Sequence, residues 1–199
     1  MSKRRVFIIS GHGNNKGGKG LDGKNEGTHN GVFALALYDR LKKCGVEVYL
    51  YDTQKDFVNT QEWSLVKNDD YIIEIHHNLF NLESANGTET WIRTGLNPCP
   101  ICKDINNCLA KYFRNRGIKT SSGLKNMNNA RSRGISYQLI EVCFLTNKND
   151  LETLLKYRIN MVVDIADVLM KHLGYNKPIE NQKITCPHCN GLGHTFVGT

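Results

Sequence analysis

The residues VFIISGHGNNKGGKG, numbers 6–20, join a run of strand-forming side chains to a loop with five glycines, one histidine and two lysines. A strand that ends in a glycine-rich loop is typical of α/β proteins, whose ligand sites lie at the carboxyl ends of strands. Gly13, Gly18 and Lys19 fit the phosphate-binding pattern G-x-x-x-x-G-K, but Gly20 stands where that pattern has a magnesium-binding Ser or Thr. A phosphate loop also runs directly into a helix, whereas LDGKNEG follows here. The loop is therefore not predicted to bind phosphate, and its histidine needs another role.

Outward from this loop, the chain alternates apolar strand patterns with helical patterns. Strands are predicted in residues 4–10, 46–52, 71–78, 87–93 and 135–145, and helices in residues 31–45, 56–68, 103–117 and 150–174. This alternation predicts a single α/β domain with a twisted, mostly parallel central sheet and helices on both faces. After Gly174 the pattern gives way to a polar linker and a cysteine-bearing stretch, so we expect a domain over residues 1–174 and a tail over 175–199.

The composition limits the classes of partner and the compartment. The net charge is +7 and the sequence pI is near 9.0, which favours an anionic partner such as nucleic acid, a membrane surface or an anionic cell wall. No apolar stretch reaches the roughly 18 residues of a membrane span. The apolar run in MSKRRVFIIS is too short for a signal peptide, so we expect the chain to be made in a cytoplasm.

Three polar side chains lie at or near the ends of the predicted strands. His12 follows the first strand, His76 lies near the end of the third, and Glu141 interrupts the apolar fifth. Side chains alternate between the two faces of a strand, so His76 shares a face with Glu74 while His77 points the other way. His76 is therefore the better candidate to point into a site with His12.

Two histidines and one carboxylate are a typical ligand set for catalytic zinc, which keeps a further position for water. Glu26 is the natural third ligand, because it lies in the same loop just before the helix predicted to begin near Gly31. A metal site also explains the glycines, since a loop that runs close to a metal and a substrate needs backbone freedom without side-chain bulk.

Three segments together resemble a known family. ISGHGNNKGGKGLDGKNEG, IEIHHN and LIEVCFLTNKND are similar to the signature segments of zinc-dependent N-acetylmuramoyl-L-alanine amidases of the autolysin, sporulation amidase and phage endolysin group. The resemblance runs from about residue 5 to residue 173. It implies that His12, Glu26 and His76 bind Zn²⁺ and that Glu141 is the catalytic glutamate. Glu74 and His77 depart from the family pattern, which has small residues there, and Cys143 stands where the closing segment has glycine.

The resemblance implies a chemistry and a substrate. A zinc-activated water would attack the amide between N-acetylmuramic acid and L-alanine in peptidoglycan, with Glu141 as general base and then general acid. Without a signal peptide, such an enzyme would reach the wall after lysis of a host or a mother cell, and we expect a phage endolysin. The alternatives are another zinc-dependent amide hydrolase, such as a peptidase or deacetylase, and a nucleic-acid-binding protein that uses a zinc knuckle in the tail. Nucleic acid is the weaker expectation, because the tail has no Lys or Arg after Lys183.

Four of the seven cysteines form two C-x-x-C pairs, which indicate metal or redox chemistry in a reducing compartment. Cys99 and Cys102 could share a second, structural zinc with Cys186 and Cys189 of the tail, CPHCNGLGH. Two tails could instead share a metal across a dimer, or the thiols could stay reduced. We therefore expect either a monomer or a dimer formed through the tail.

Overall fold

The computed structural model describes residues 3–13 and 16–176. Its strands are β1 (Val6–Ser10), β2 (Val48–Leu50), β3 (Tyr71–Asn78), β4 (Thr88–Arg93), β5 (Asn115–Ser121) and β6 (Ser136–Phe144). Its helices are α1 (Glu26–Lys43), α2 (Phe57–Thr60), α3 (Pro100–Leu109), α4 (Lys125–Ser132) and α5 (Lys148–His172), and a 3-10 helix covers Trp63–Leu65.

The strands form one mixed sheet in the order β2-β1-β3-β6-β4-β5. Neighbouring strands are parallel except β4 and β6, which are antiparallel. Parallel neighbours need long crossover connections, and helices that pack on the sheet supply them. The predicted α/β domain with a mostly parallel sheet is confirmed.

The register of the central strands creates one functional edge. Ser10, the last residue of β1, pairs with Ile75, and His76 pairs with Glu141 on β6. The carboxyl ends of β1, β3 and β6 therefore meet at the same edge of the sheet. The loop after β1, which carries His12, begins there.

Both faces of the sheet are covered by apolar side chains. Ile8 and Ile73 point into the larger core, which α1, α3 and α5 complete. Phe7 and Ile72 point into the smaller core on the opposite face, where Phe57 packs against Phe7 and Trp63 packs against Phe57. A strand buried on two faces needs apolar residues at consecutive positions rather than in alternation, which explains the unbroken run VFII in β1.

Strand β5 and helix α4 are absent from the predicted elements. The predicted helix over residues 103–117 ends at Leu109, and its last residues belong to β5. Gly117, which resembles a helix stop in the sequence, lies inside β5 with φ +84°. Because β5 is a polar edge strand and α4 buries few apolar side chains, neither leaves a clear periodic signal.

The second predicted helix, over residues 56–68, is divided into α2 and the 3-10 helix. Gln61 between them adopts a left-handed conformation with φ +52°, which ends α2.

After the last helix, Tyr175 is buried, and its hydroxyl donates a hydrogen bond to the Arg4 carbonyl at 3.1 Å. No helix within the described ranges is long and apolar enough to cross a membrane.

Candidate metal centre and active site

His12 lies in a tight turn directly after β1. It adopts φ +66°, and Gly13 follows with φ +65°, so the turn contains two consecutive left-handed residues. A side chain on Gly11 would overlap the His76 ring, which explains why glycine precedes His12. The turn therefore holds the imidazole of His12 beside that of His76, with ring centroids 4.9 Å apart.

Glu26 is the first residue of α1, which begins five residues earlier than the sequence pattern indicates. Its carboxylate is buried, and the N-terminus of a helix is a favourable place for negative charge. Gly17 and Gly27 pack around it in positions where a Cβ atom would collide with Glu26 or with the Gly13 carbonyl. The glycines of the loop thus allow it to close around this carboxylate.

His12, Glu26 and His76 form one cluster whose potential ligand atoms all lie within 4.8 Å of one another. His12 Nε2 is 3.2 Å from Glu26 Oε2, and His76 Nδ1 is 3.0 Å from Glu26 Oε1. Two imidazole nitrogens and a carboxylate oxygen suit zinc by type and number. Within the described ranges this is the only group of three or more His, Cys, Asp or Glu residues arranged to hold a metal ion.

The cluster favours positive charge at its centre. Burial alone would raise the pKa of Glu26, but the hydrogen bonds and charges of His12 and His76 outweigh it, so this pKa is lowered. Burial alone would lower the pKa of His76, but hydrogen bonds to Glu26 and Glu74 raise it well above its ordinary value. Fixed negative charge that stabilises protons on two histidines also suits a cation bound by the same atoms.

The His77 side chain lies outside the cluster, although the backbone N–H of His77 donates a hydrogen bond to Glu26 Oε1 at 3.3 Å. The side chain of His77 points to the opposite face of β3, where Nδ1 lies 2.7 Å from Asn30 Oδ1. Burial is the main reason why the pKa of His77 lies well below its ordinary value. The alternation of side chains along β3 correctly separates the two adjacent histidines.

Glu74 contacts the second ring nitrogen of His76, a role that the sequence does not reveal. Its Oε1 lies 3.0 Å from His76 Nε2, and its Oε2 accepts hydrogen bonds from Asn126 Nδ2 at 2.9 Å and from the Tyr137 hydroxyl at 2.6 Å. Burial alone would raise the pKa of Glu74, but these contacts lower it. A buried, ionised carboxylate thus fixes the orientation of the His76 ring.

Glu141 lies on β6 directly opposite His76 in the sheet register. Its side chain is half-buried, and its Oε2 atom is buried without a hydrogen-bond partner among the described residues. Burial, supported by the negative charges of Glu26 and Glu89, raises the pKa of Glu141 to about 8, although His76 opposes the shift. A carboxyl group with an unpartnered oxygen and a pKa near neutrality can exchange protons with a bound reactant.

On the other side of Glu141, Glu89 of β4 forms a charged cluster with β5. Glu89 Oε2 accepts hydrogen bonds from Arg116 Nε at 2.6 Å and Lys119 Nζ at 2.5 Å. Burial alone would raise the pKa of Glu89, but these two cations lower it. Trp91 donates from Nε1 to Glu89 Oε1 and is half-buried, rather than a core residue as its position in a strand suggests.

Of the four cysteines predicted to share a second zinc, the structure describes two. Cys99 and Cys102 lie at the start of α3 with their sulfur atoms 2.6 Å apart. Cys186 and Cys189 lie outside the described residues, so the four-cysteine site stays a prediction. Of the three cysteines outside the two C-x-x-C pairs, Cys108 and Cys143 are buried and Cys44 is half-buried.

The amino-acid sequence is similar to those of known N-acetylmuramoyl-L-alanine amidases. The family described as N-acetylmuramoyl-L-alanine amidase matches residues 6–170. A curated relative, the probable autolysin PH of Staphylococcus aureus (strain NCTC 8325 / PS 47), is 29% identical over 200 residues. That match covers 90% of this chain but only 40% of the relative, so the chain spans less than half of the relative's length.

Solved structures share the fold. The catalytic domain of CwlV, an N-acetylmuramoyl-L-alanine amidase from Bacillus (Paenibacillus) polymyxa var. colistinus, is 26% identical with a TM-score of 0.68. The match covers 87% of this chain and 99% of that domain. The catalytic domain of an endolysin that targets Clostridia difficile is 22% identical with a TM-score of 0.65, over 85% of this chain and 97% of that domain.

Proposed function

Because the chain belongs to the N-acetylmuramoyl-L-alanine amidase family, we propose that it is a zinc-dependent peptidoglycan hydrolase that cleaves the amide between N-acetylmuramic acid and L-alanine. The observation that carries the proposal is the cluster of His12, Glu26 and His76 beside the unpartnered carboxyl oxygen of Glu141. The net charge of +7 suits an anionic cell wall as the partner.

His12, Glu26 and His76 would hold the zinc. Their donor types and number fit the ion, and the half-exposed His12 leaves one side of the cluster open to a reactant. When bound, zinc supplies Lewis acidity that polarises the amide carbonyl and lowers the pKa of water to about 7. Glu74 contributes by holding the His76 ring so that Nδ1 faces Glu26.

Glu141 is assigned as the group that moves the proton. Its carboxylate takes a proton from the attacking water, whose oxygen forms the new bond to the carbonyl carbon. The same carboxyl group then gives that proton to the departing nitrogen of L-alanine as the carbon–nitrogen bond breaks. Burial raises the pKa of Glu141 to about 8 in the site without metal, and a cation bound beside it would lower this pKa, which favours the carboxylate that accepts the proton.

The decisive experiment is mass spectrometry of purified peptidoglycan digested by the full chain. Peptides released with a free N-terminal L-alanine are expected, and a chelator should stop their release until zinc is restored. Glu141→Gln serves as the matched inactive control. Cleavage of a different bond with the same zinc dependence would instead support a peptidase or deacetylase, and activity unaffected by chelation would overturn the metal assignment.

The biological role is a finer proposal, that of a phage endolysin. The family match supports an enzyme that acts on peptidoglycan, and a curated relative is a probable autolysin, so the lytic role is tested against the autolysin role. An endolysin added from outside should reduce the turbidity of susceptible vegetative cells within minutes. Digestion of isolated walls without lysis of such cells would favour the autolysin or sporulation role.

A further inference from the structure

A second chemically distinctive pair, Cys99 and Cys102, lies at the start of α3. Cys99 caps the helix, and Pro100 occupies its first turn. The backbone N–H of Cys102 donates to Cys99 Sγ at 3.4 Å, and the two sulfur atoms are 2.6 Å apart. The local backbone therefore holds the two sulfur atoms close enough for a disulfide to form between them.

The two thiols are not equivalent. Cys99 is partly exposed, whereas Cys102 is 4% exposed and has the Tyr71 hydroxyl 3.8 Å from its sulfur. The hydrogen bond from Cys102, assisted by backbone N–H groups of the first turn, lowers the pKa of Cys99. The contact with Cys99 and burial raise the pKa of Cys102. Cys99 is thus the thiol suited to attack an external disulfide, and Cys102 is suited to attack the mixed disulfide that results.

The pair is separate from the candidate active site. Tyr71, which contacts Cys102, is the first residue of β3, whereas His76 lies near the other end of that strand. Within the part of the chain that the structure describes, no third His, Cys, Asp or Glu joins the two sulfurs in a metal-binding group. Two sulfurs alone do not complete a tetrahedral zinc site, but they are sufficient for a disulfide.

We propose that Cys99 and Cys102 form a redox-active dithiol that small-molecule disulfides oxidise reversibly. The Cys99 thiolate attacks one sulfur of the disulfide, a mixed disulfide forms, and one thiolate leaves. Cys102 loses its proton and attacks the Cys99 sulfur, which closes the intramolecular bond and releases the second thiol. Two protein thiols and one disulfide thereby become one protein disulfide and two small thiols, and a reducing dithiol reverses the exchange.

The test uses the full chain, first reduced and then exposed to oxidised glutathione, with peptide mass spectrometry as the readout. The wild type should lose two hydrogens on the peptide that contains both cysteines. Cys102→Ser should accumulate glutathione on Cys99, and Cys99→Ser should do neither. The half-buried, solitary Cys44, replaced by serine, is the matched control and should behave like the wild type.

A second measurement separates this proposal from structural zinc. In reduced wild type, Cys99 should react with iodoacetamide faster than Cys44 between pH 6 and 8, with or without chelator. If the purified chain holds zinc that protects Cys99 until a chelator removes it, the dithiol proposal is wrong. It is also wrong if oxidation of the wild type stops at a glutathione adduct. Neither result depends on amidase activity, since Glu141→Gln should form the disulfide equally well.

Discussion

His76 Nε2 lies 3.0 Å from Glu74 Oε1, and this contact leaves Nδ1 of the same ring facing Glu26. The carboxylate of Glu74 is itself held by Asn126 and Tyr137, so it cannot rotate away without breaking two further hydrogen bonds. Glu74, which departs from the family pattern, therefore orients the proposed zinc ligand His76 through the ring nitrogen that does not face Glu26.

Replacing Glu74 should weaken metal binding without preventing folding. Loss of a carboxylate behind a ligating histidine typically costs 10–100-fold in metal affinity, so we expect a loss of about that size for Glu74→Ala. Tyr137→Phe, which removes one of the hydrogen bonds to Glu74, should have a smaller effect. Zinc affinity measured by competition with a chelator checks this, with circular dichroism to confirm the fold. Wild-type affinity in folded Glu74→Ala would contradict the positioning role.

The ligand assignment predicts a contrast between two adjacent histidines. His76→Ala should lose zinc, because the ring whose Nδ1 faces Glu26 is removed. His77→Ala should keep about one zinc per chain, although loss of its contact with Asn30 should reduce thermal stability. His12→Ala and Glu26→Ala should behave like His76→Ala. Metal analysis of purified variants decides the matter, and zinc retained by His76→Ala but lost by His77→Ala would reverse the assignment.

Glycine at position 11 is predicted to be essential for zinc binding, because a larger residue would collide with His76. A Cβ atom there would overlap the His76 ring, so Gly11→Ala should displace the ring and reduce zinc affinity at least 10-fold. Gly123→Ala is the matched control, because its Cβ atom would meet nothing closer than Ser121 Oγ at 3.8 Å. Equal zinc affinity in the two variants would show that the overlap is relieved elsewhere.

The sequence predicts the proposed metal ligands because each has a local signal. His12 and His76 follow or end apolar strands, and the first and third predicted strands lie next to each other in the parallel sheet. Period-two alternation then suffices to distinguish His76 from His77. Strand boundaries and side-chain direction therefore select the two histidines, and the resemblance to the amidase family adds Glu26 and the complete ligand set.

The positioning role of Glu74 and the elements β5 and α4 have no comparable local signal. Glu74 meets Asn126 across 52 residues of sequence, and Asn126 belongs to a helix with few buried apolar positions. The Arg116 and Lys119 contacts with Glu89 likewise depend on the pairing of a polar edge strand with β4. Contacts that arise from tertiary pairing of polar segments leave no periodic pattern in the chain.

Glu141→Gln should abolish hydrolysis and leave zinc bound. The amide cannot take a proton from water, so a rate loss of at least 100-fold is expected from the loss of general base catalysis. Zinc content and thermal stability should stay at or above wild-type levels, because Glu141 is not assigned as a ligand. Peptide release from peptidoglycan and metal analysis of the same preparation test this together. A variant that loses its zinc would make Glu141 a ligand or a structural residue.

The raised pKa of Glu141 also predicts how stability depends on pH in chelator-treated protein. The folded-state value is about 8, against an ordinary value of 4.5, so between these values the unfolded chain is ionised while the folded chain still holds the proton. The folded state therefore loses stability relative to Glu141→Gln as pH rises from about 4.5 to about 8, by up to a few kcal/mol at about 1.4 kcal/mol per pKa unit. Urea unfolding should show that the free energy of unfolding of Glu141→Gln exceeds that of the wild type by more at pH 8 than at pH 5. Glu47→Gln changes an exposed residue that is paired with Lys67, and its difference from the wild type in the free energy of unfolding should not increase between pH 5 and pH 8. If the free energy of unfolding of Glu141→Gln exceeds that of the wild type by the same amount at both pH values, Glu141 is ionised in the folded protein throughout this range.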